Sequence, residues 1–290
     1  MKFAFFPGCK MDYYLEPYGK SSRAVLEALG VELVEMEFNC CGYPVRHLSS
    51  ESFLLAAARN LALAEERQID LVTPCKCCFG TLKHADYNLR SQEGLRNRVN
   101  RHLEQEGLRW RGKSVVKHLL SVLLDDVGLG AIGSRIERPF RRLAVAAHYG
   151  CHALRPGNVM GFDNPLAPTI FESLVSVTGA RPVAWPRRLE CCGAPLREKN
   201  DPLSLRLAGR KLADAERAGA ALLCTACTYC QIQFDTARSQ AFDPPDPASV
   251  LPSLVYTQLL GLALGLSEDV VGLTSSQTAF HVLQESLAAR

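Results

Sequence analysis

Cys40-Cys41-Gly42-Tyr43-Pro44 and Cys191-Cys192-Gly193-Ala194-Pro195 are two copies of one motif, 151 positions apart. Cys9 stands 31 positions ahead of Cys40, and Cys75 and Cys78 follow 34 and 37 positions after Cys41. The second doublet has the same company: Cys151 before it, Cys227 and Cys230 after it. Ten of the twelve cysteines therefore fall into two matching sets of five. The offset between matching cysteines is 142 for Cys9 and Cys151, 151 for the doublets, and 152 for the Cys-x-x-Cys pairs. One nine-residue insertion accounts for the change. The chain reads as a duplicated unit.

The surroundings repeat too. Phe3 to Phe6 and Leu143 to Ala147 are apolar runs of strand character, each leading to a Gly-Cys turn, Gly8-Cys9 and Gly150-Cys151. Helical patterns follow over Gly19 to Leu29 and Pro168 to Val177, with Gly30 and Gly179 as C-terminal stops. Short strands, Val31 to Met36 and Pro182 to Trp185, run toward the doublets. Amphipathic helices are expected over Ser50 to Arg67, with Ser50 as N-cap, and over Pro202 to Ala218. Strands Ile69 to Val72 and Ala220 to Leu223 then deliver the Cys-x-x-Cys pairs at a strand-to-helix turn. Each half is β-α-β-α-β-α, and Val115 to Leu124 and Leu254 to Leu264 each add a closing helix. The fold class is α/β, with two pseudo-symmetric domains, 1–138 and 139–290. Each is a small, mostly parallel sheet flanked by helices, with its cysteines at the loop edge. The tail from Ser267 to Arg290 has helical character at its end.

Composition narrows the functional class. With 47% apolar and 22% charged residues in 290, the chain can bury a substantial core. A net charge of +3 gives no argument for nucleic acid. The apolar run Leu254 to Leu266 is too short to span a bilayer and contains Tyr256, Thr257 and Gln258, so no transmembrane segment is expected. The N-terminus, Met1 to Cys9, lacks the apolar core of a signal peptide, which makes the cytoplasm the expected compartment. Stable disulfides are disfavoured there, so twelve cysteines point to metal or redox chemistry. The segment 90–142 is rich in Arg and Lys; it reads as a solvated helical face, with docking to an acidic partner as the alternative.

The adjacent cysteines restrict that chemistry further. Consecutive Cα atoms are about 3.8 Å apart, closer than the roughly 4.4–6.8 Å of ordinary disulfides, so a vicinal disulfide would be strained. Two adjacent thiolates instead suit neighbouring metal atoms, and Gly42 and Gly193 are expected to let the backbone approach such a centre. Zinc and the cubane [4Fe–4S] cluster both take about four ligands. Five per set invites a larger or distorted iron–sulfur assembly, with zinc at one site as the alternative.

The two runs of C-x(30–39)-C-C-G-x(33–35)-C-x-x-C resemble the paired cysteine-rich (CCG) domains found in the B-subunit family of heterodisulfide reductases. Pro7-Gly8-Cys9, His148-Tyr149-Gly150-Cys151-His152 and Tyr256-Thr257-Gln258-Leu259-Leu260 add to the likeness, which covers about residues 1–265. The resemblance implies a noncubane [4Fe–4S] cluster on Cys9, Cys40, Cys41, Cys75 and Cys78, and a second on Cys151, Cys191, Cys192, Cys227 and Cys230. It also implies a disulfide or thiol substrate handled between them. The chain is read as lacking a Gly-x-Gly-x-x-Gly dinucleotide unit, so electrons would pass through partners, a ferredoxin-like iron–sulfur subunit and a flavoprotein subunit. Two other readings stand beside this one. The first is an electron-transfer module of an organic-acid dehydrogenase of lactate or glycolate type. The second is a non-catalytic, metal-stabilised assembly protein.

His148 and His152 flank Cys151 and are the candidate catalytic residues, able to hydrogen-bond cluster sulfur or supply a proton. The first half has no histidine there. Lys76, Arg46 and Arg155 are nearby cations that would offset an anionic centre or stay solvated. Cys77 and Cys224 lie outside the two sets. Cys224 aligns with Val72 and reads as a small buried hydrophobe, and Cys77 aligns with Tyr229 and reads as a packing residue.

Overall fold

The computed structural model describes residues 1–240, 251–274 and 279–288. The first repeat runs β1 (Lys2–Phe5), α1 (Met11–Tyr14), α2 (Glu16–Ala28), β2 (Glu32–Val34), α3 (Ser50–Glu66), β3 (Asp70–Thr73), α4 (Lys76–Ser91), α5 (Glu93–Leu103) and β4 (Val116–His118). A short α6 (Leu119–Ser121) continues as π-helical turns over Val122–Val127, and α7 (Leu129–Gly133) follows. The second repeat runs β5 (Ala144–His148), α8 (Gly157–Met160), α9 (Ile170–Val177), β6 (Arg181–Pro182), α10 (Asp201–Arg217), β7 (Leu222–Thr225), α11 (Thr228–Gln240), β8 (Ser253–Val255) and α12 (Tyr256–Ala263). Helix α13 (Ala279–Ala288) ends the described chain; the rest of the expected tail helix, 289–290, lies outside the described residues.

Each repeat builds a four-stranded parallel sheet with the same order, β2-β1-β3-β4 and β6-β5-β7-β8. The central strands are covered on both faces: β5 and β7 are buried throughout, and β1 and β3 from their second residue onward. That burial explains why they read as short continuous apolar runs. The expected topology lacked the fourth strand. Val116–His118 pairs with β3, and Ser253–Val255 pairs with β7, where closing helices had been expected from residues 115 and 254. A three-residue strand at the head of an apolar helix leaves no alternation to detect.

Each repeat's closing helix covers the other repeat. On α2, the buried positions Tyr18, Ser21, Ser22, Val25 and Leu26 form one helical stripe. That stripe meets α12 of the second repeat, where Ser21 Oγ and Thr257 Oγ1 are 2.7 Å apart. Reciprocally, α6, the π-helical turns and α7 pack on α9. Both sheets therefore share one contiguous core.

Three smaller expectations change. The N-cap of α3 is Ser49, whose Oγ accepts from Ser52 N at 3.1 Å, and Ser50 is the first helical residue. Gly128-Leu129-Gly130-Ala131-Ile132-Gly133 does spell the dinucleotide spacing, contrary to the sequence reading. It follows π-helical turns rather than a strand and opens a five-residue helix, so the βαβ setting that such a fingerprint needs is missing. The basic segment is half neutralised within the chain: of its twelve Arg and Lys, Arg90, Arg96, Arg98, Arg109, Arg111 and Lys117 each form an ion pair.

Candidate metal centres

All three cysteine loops of each repeat leave the carboxyl ends of the strands, so the topology gathers them at one edge of each sheet. The sulfurs form a continuous line. In the first repeat, Cys9 Sγ lies 3.6 Å from Cys40 Sγ, and hydrogen bonds run from Cys40 to Cys41, Cys41 to Cys78 and Cys78 to Cys75. In the second, the line passes from Cys151 to Cys191, Cys192, Cys230 and Cys227. The two lines meet where Cys75 Sγ and Cys227 Sγ approach to 3.9 Å. None of the twelve cysteines is in a disulfide.

Packing sulfurs this closely governs their protonation. Hydrogen bonds from Cys41 and Cys9 lower Cys40 to about 2, and those from Cys151 and Cys192 lower Cys191 to about 2. Their partners move the other way: Cys41 and Cys192 rise to about 12, mainly through Cys40 and Cys191 respectively. Cys9 and Cys151 are also raised, first by the hydrogen bonds to those same thiolates. The protein alone thus stabilises one thiolate at each doublet and a further one at Cys227, and holds Cys9, Cys41, Cys78, Cys151, Cys192 and Cys230 toward the thiol form. Five thiolates in one set require added positive charge, which is what metal ligation supplies.

The doublet turns depend on glycine for a reason the sequence does not display. Gly42 and Gly193 have φ of +90° and +91°, and a Cβ there would lie 2.8 Å from Phe53 O and 2.6 Å from Ser204 O. They clear the helix that follows each doublet, α3 or α10. The residue cleared for sulfur is Gly8, where a Cβ would lie 2.7 Å from Cys78 Sγ.

Two small chambers adjoin the sulfurs, one at each set. Tyr43 and Tyr229 border both, with ring centroids 5.4 Å apart. The walls are exchanged between repeats. Thr228 and Tyr229 of the second repeat line the first chamber, and Lys76 and Cys77 of the first repeat line the second. Cys77 is therefore more than packing: its Sγ lies 3.9 Å from Cys227 Sγ and 3.6 Å from His152 Nδ1. Cys224 is a fully buried residue of β7, as its alignment with Val72 suggests.

The two histidines occupy different settings. Arg46 Nη1 lies 3.4 Å from His152 Nε2, and a guanidinium can only donate, so Nδ1 carries the ring proton. That N–H faces Cys77 Sγ and Cys151 Sγ, each 3.6 Å away. Burial lowers the pKa of His152 and favours this neutral form. His148 is fully enclosed, edge-on to Phe234, and neither ring nitrogen has a hydrogen-bond partner among the described residues. Its ring nitrogens and the Cys192 and Cys230 sulfurs include donor atoms within 4.8 Å of one another. Arg155 donates to Leu189 O at 3.4 Å and stays on the exposed side.

His118 was not foreseen. Its Nδ1 accepts from Leu120 N at 3.1 Å, so Nε2–H is directed at Pro74 O and Ala226 O, 3.1 and 3.2 Å away. Pro74 and Ala226 immediately precede Cys75 and Cys227, so this one ring ties the two central cysteine turns together. Tyr18 OH also donates to Pro74 O, at 2.6 Å. The counterpart of His118 in the second repeat is Val255, so comparing the repeats gives no signal for it.

The residues present suit an iron–sulfur group. Each set offers five thiols in a line, each close to the next, and two of the buried polar groups lacking a partner among the described residues, His148 and Thr228 Oγ1, border these sites. Unsatisfied buried donors of this kind fit acceptor atoms supplied by a bound group.

Residues 3–83 and 145–235 each match the cysteine-rich domain family designated CCG. The chain is 34% identical to the 8-methylmenaquinol:fumarate reductase membrane anchor subunit of Wolinella succinogenes, over 94% of this chain and 95% of that protein. It is 31% identical to the B subunit of the ferredoxin/F(420)H(2)-dependent CoB-CoM heterodisulfide reductase of Methanosarcina acetivorans, over 94% of this chain and 92% of that one. The fold is shared with a hypothetical protein from Helicobacter pylori, with a TM-score of 0.73 at 18% identity. That alignment covers 94% of this chain but only about half, 51%, of the other. No helix of the described residues is long and apolar enough to cross a membrane. With one match in each repeat and full-length relatives above 30% identity, the chain belongs to the CCG cysteine-rich domain family, as a tandem of two such domains.

Proposed function

We infer that the chain is an iron–sulfur redox subunit holding one [4Fe–4S] cluster, of noncubane type, on each set of five cysteines. In this reading a disulfide or thiol substrate is cleaved or formed between the clusters, and electrons are exchanged with a ferredoxin-like subunit and a flavoprotein subunit. The observation that carries the reading is the unbroken line of ten sulfurs, joined across the repeats at 3.9 Å between Cys75 and Cys227. Two redox groups so close together suit a substrate whose cleavage consumes two electrons and two protons, giving two thiols from one disulfide. When bound, the clusters would supply single electrons.

The protein's own residues orient the site and supply hydrogen bonds. Tyr43 and Tyr229 wall the space between the chambers, and Arg46 stacks on Tyr43, with its guanidinium carbon 4.2 Å from the ring centroid. Arg46 also holds His152 with Nδ1–H toward the sulfurs, where it can hydrogen-bond a cluster or substrate sulfur. His148 has no such access; its role is to hydrogen-bond sulfur from behind the second site.

Electron paramagnetic resonance of anaerobically purified chain, with and without thiols and small disulfides, tests the reading. A cluster signal altered by thiol or disulfide is expected. A signal indifferent to both counts against direct sulfur chemistry. It would favour the second reading, an electron-transfer module of another oxidoreductase complex, which the equally full-length likeness to a fumarate reductase subunit supports.

A further inference from the structure

The two sulfur sets match, but the buried residues behind them do not. His148, Lys76 and Lys211 surround the second set, each only 1% exposed. In the register of the repeats their counterparts around the first set are Phe6, Thr228 and Asn60. These are equally buried but carry no charge. Asn60 spends its amide on the backbone, donating to Asn39 O, Cys40 O and Ala56 O.

The two lysines are ammonium groups placed inside the protein without a carboxylate at ion-pair distance among the described residues. Lys76 Nζ donates to His148 O at 3.2 Å and lies 4.8 Å from the Phe171 ring centroid. Lys211 Nζ donates to Arg187 O and lies 4.7 Å from the Trp185 ring centroid. A buried charge persists only where opposite charge compensates it. The groups facing Lys76 that can carry negative charge are Cys230, Cys227 and Cys224, ahead of Glu172. Those facing Lys211 are Glu190, which Arg187 already pairs, then Cys192, Cys230 and Cys191. The second set is thus backed by two cations and by an N–H donor lacking a partner among the described residues.

We propose that the second cysteine set is the electron-accepting member of the pair, with Lys76 and Lys211 as buried counter-charges and His148 as a sulfur-directed donor. A cluster on Cys151, Cys191, Cys192, Cys227 and Cys230 then takes an electron at higher potential than one on the first set. The inference rests on the iron–sulfur reading given above. Reduction adds a negative charge, and fixed positive charge in a low-dielectric surrounding stabilises it. Hydrogen bonds to cluster sulfur act in the same direction. The chamber at this set also holds His152, whose Nδ1–H faces Cys151 Sγ.

Redox titration followed by electron paramagnetic resonance tests this on two single-site proteins, Cys41→Ser, which leaves the second set intact, and Cys192→Ser, which leaves the first. The protein with the second set intact should be reduced at the higher potential. Adding Lys211→Met to Cys41→Ser should lower the reduced-to-oxidised ratio at fixed potential on the order of ten-fold. The same change in Cys192→Ser should have little effect. Lys76→Met provides an independent reading of the same site if Lys211→Met loses iron. Equal potentials, the reverse order, or a shift at both sites alike would overturn the proposal while leaving the clusters in place. Wild-type protein without iron or acid-labile sulfide would overturn the iron–sulfur reading, and the proposal with it.

Discussion

Replacing His118 by Phe isolates the bond that joins the two central cysteine turns. The ring sits among aromatic neighbours, with centroids 5.8 Å from Phe79 and 5.5 Å from Phe162, so Phe fills the slot without leaving a cavity. Three hydrogen bonds are lost. Pro74 O keeps its donor from Tyr18, but Ala226 O and Leu120 N lose the partner that His118 provides. At about 1–3 kcal/mol for each buried group left unsatisfied, the variant should be less stable by about 4 kcal/mol at pH 7.5. The pH dependence gives a second check. Burial, then Lys76, lowers the pKa of His118 from 6.5 to about 3. The unfolded chain therefore binds this proton first as pH falls. The stability tied to neutral His118 is complete above pH 6.5 and is lost progressively down to pH 3. By pH 4.5 the wild type should have lost about 3 kcal/mol from this group, and the Phe variant nothing. Urea denaturation followed by circular dichroism, under anaerobic conditions, should show the difference between the proteins narrowing to about 1 kcal/mol at pH 4.5. A difference that is small at pH 7.5, or that stays constant on acidification, would refute the reasoning.

Other perturbations test separate parts of the structure. Gly193→Ala should cost at least about 2 kcal/mol in denaturation experiments, because left-handed backbone strain adds to a clash with Ser204 O. Gly30→Ala shares the positive φ but has open space around it, so it should cost only about 1 kcal/mol. Ser21→Ala and Thr257→Ala should each weaken the packing of α2 on α12, with a coupling of about 1 kcal/mol in a double-mutant cycle; zero coupling would deny this contact between repeats. Cys224→Ala should leave the iron content unchanged and lower stability by about 1 kcal/mol, whereas Cys227→Ala should lose iron.

The parts of the fold legible in the sequence are those that local pattern encodes. Buried strands leave apolar runs, caps and stops leave Ser and Gly, and duplicated cysteine spacing aligns the halves without further information. What escaped depends on partners distant in sequence. The strand Val116–His118 is recognisable only by its pairing with β3. Gly42 and Gly193 could be read as turn residues, but not that a helix carbonyl presses on each. Cys77 resembled a packing residue because alignment with Tyr229 says nothing of the opposite repeat, whose chamber each of them lines. The same exchange of walls hid Lys76 as a buried charge of the second site and His118 as the tie between Pro74 and Ala226.

The central claim, that each set of five cysteines holds its own iron–sulfur cluster, is tested most directly by metal content. Iron, zinc and acid-labile sulfide should be measured in anaerobically purified wild type, Cys41→Ala and Cys192→Ala. Two [4Fe–4S] clusters predict about eight irons per wild-type chain and about half that in either variant. Zinc in place of iron, or full iron retained in both variants, would contradict the account.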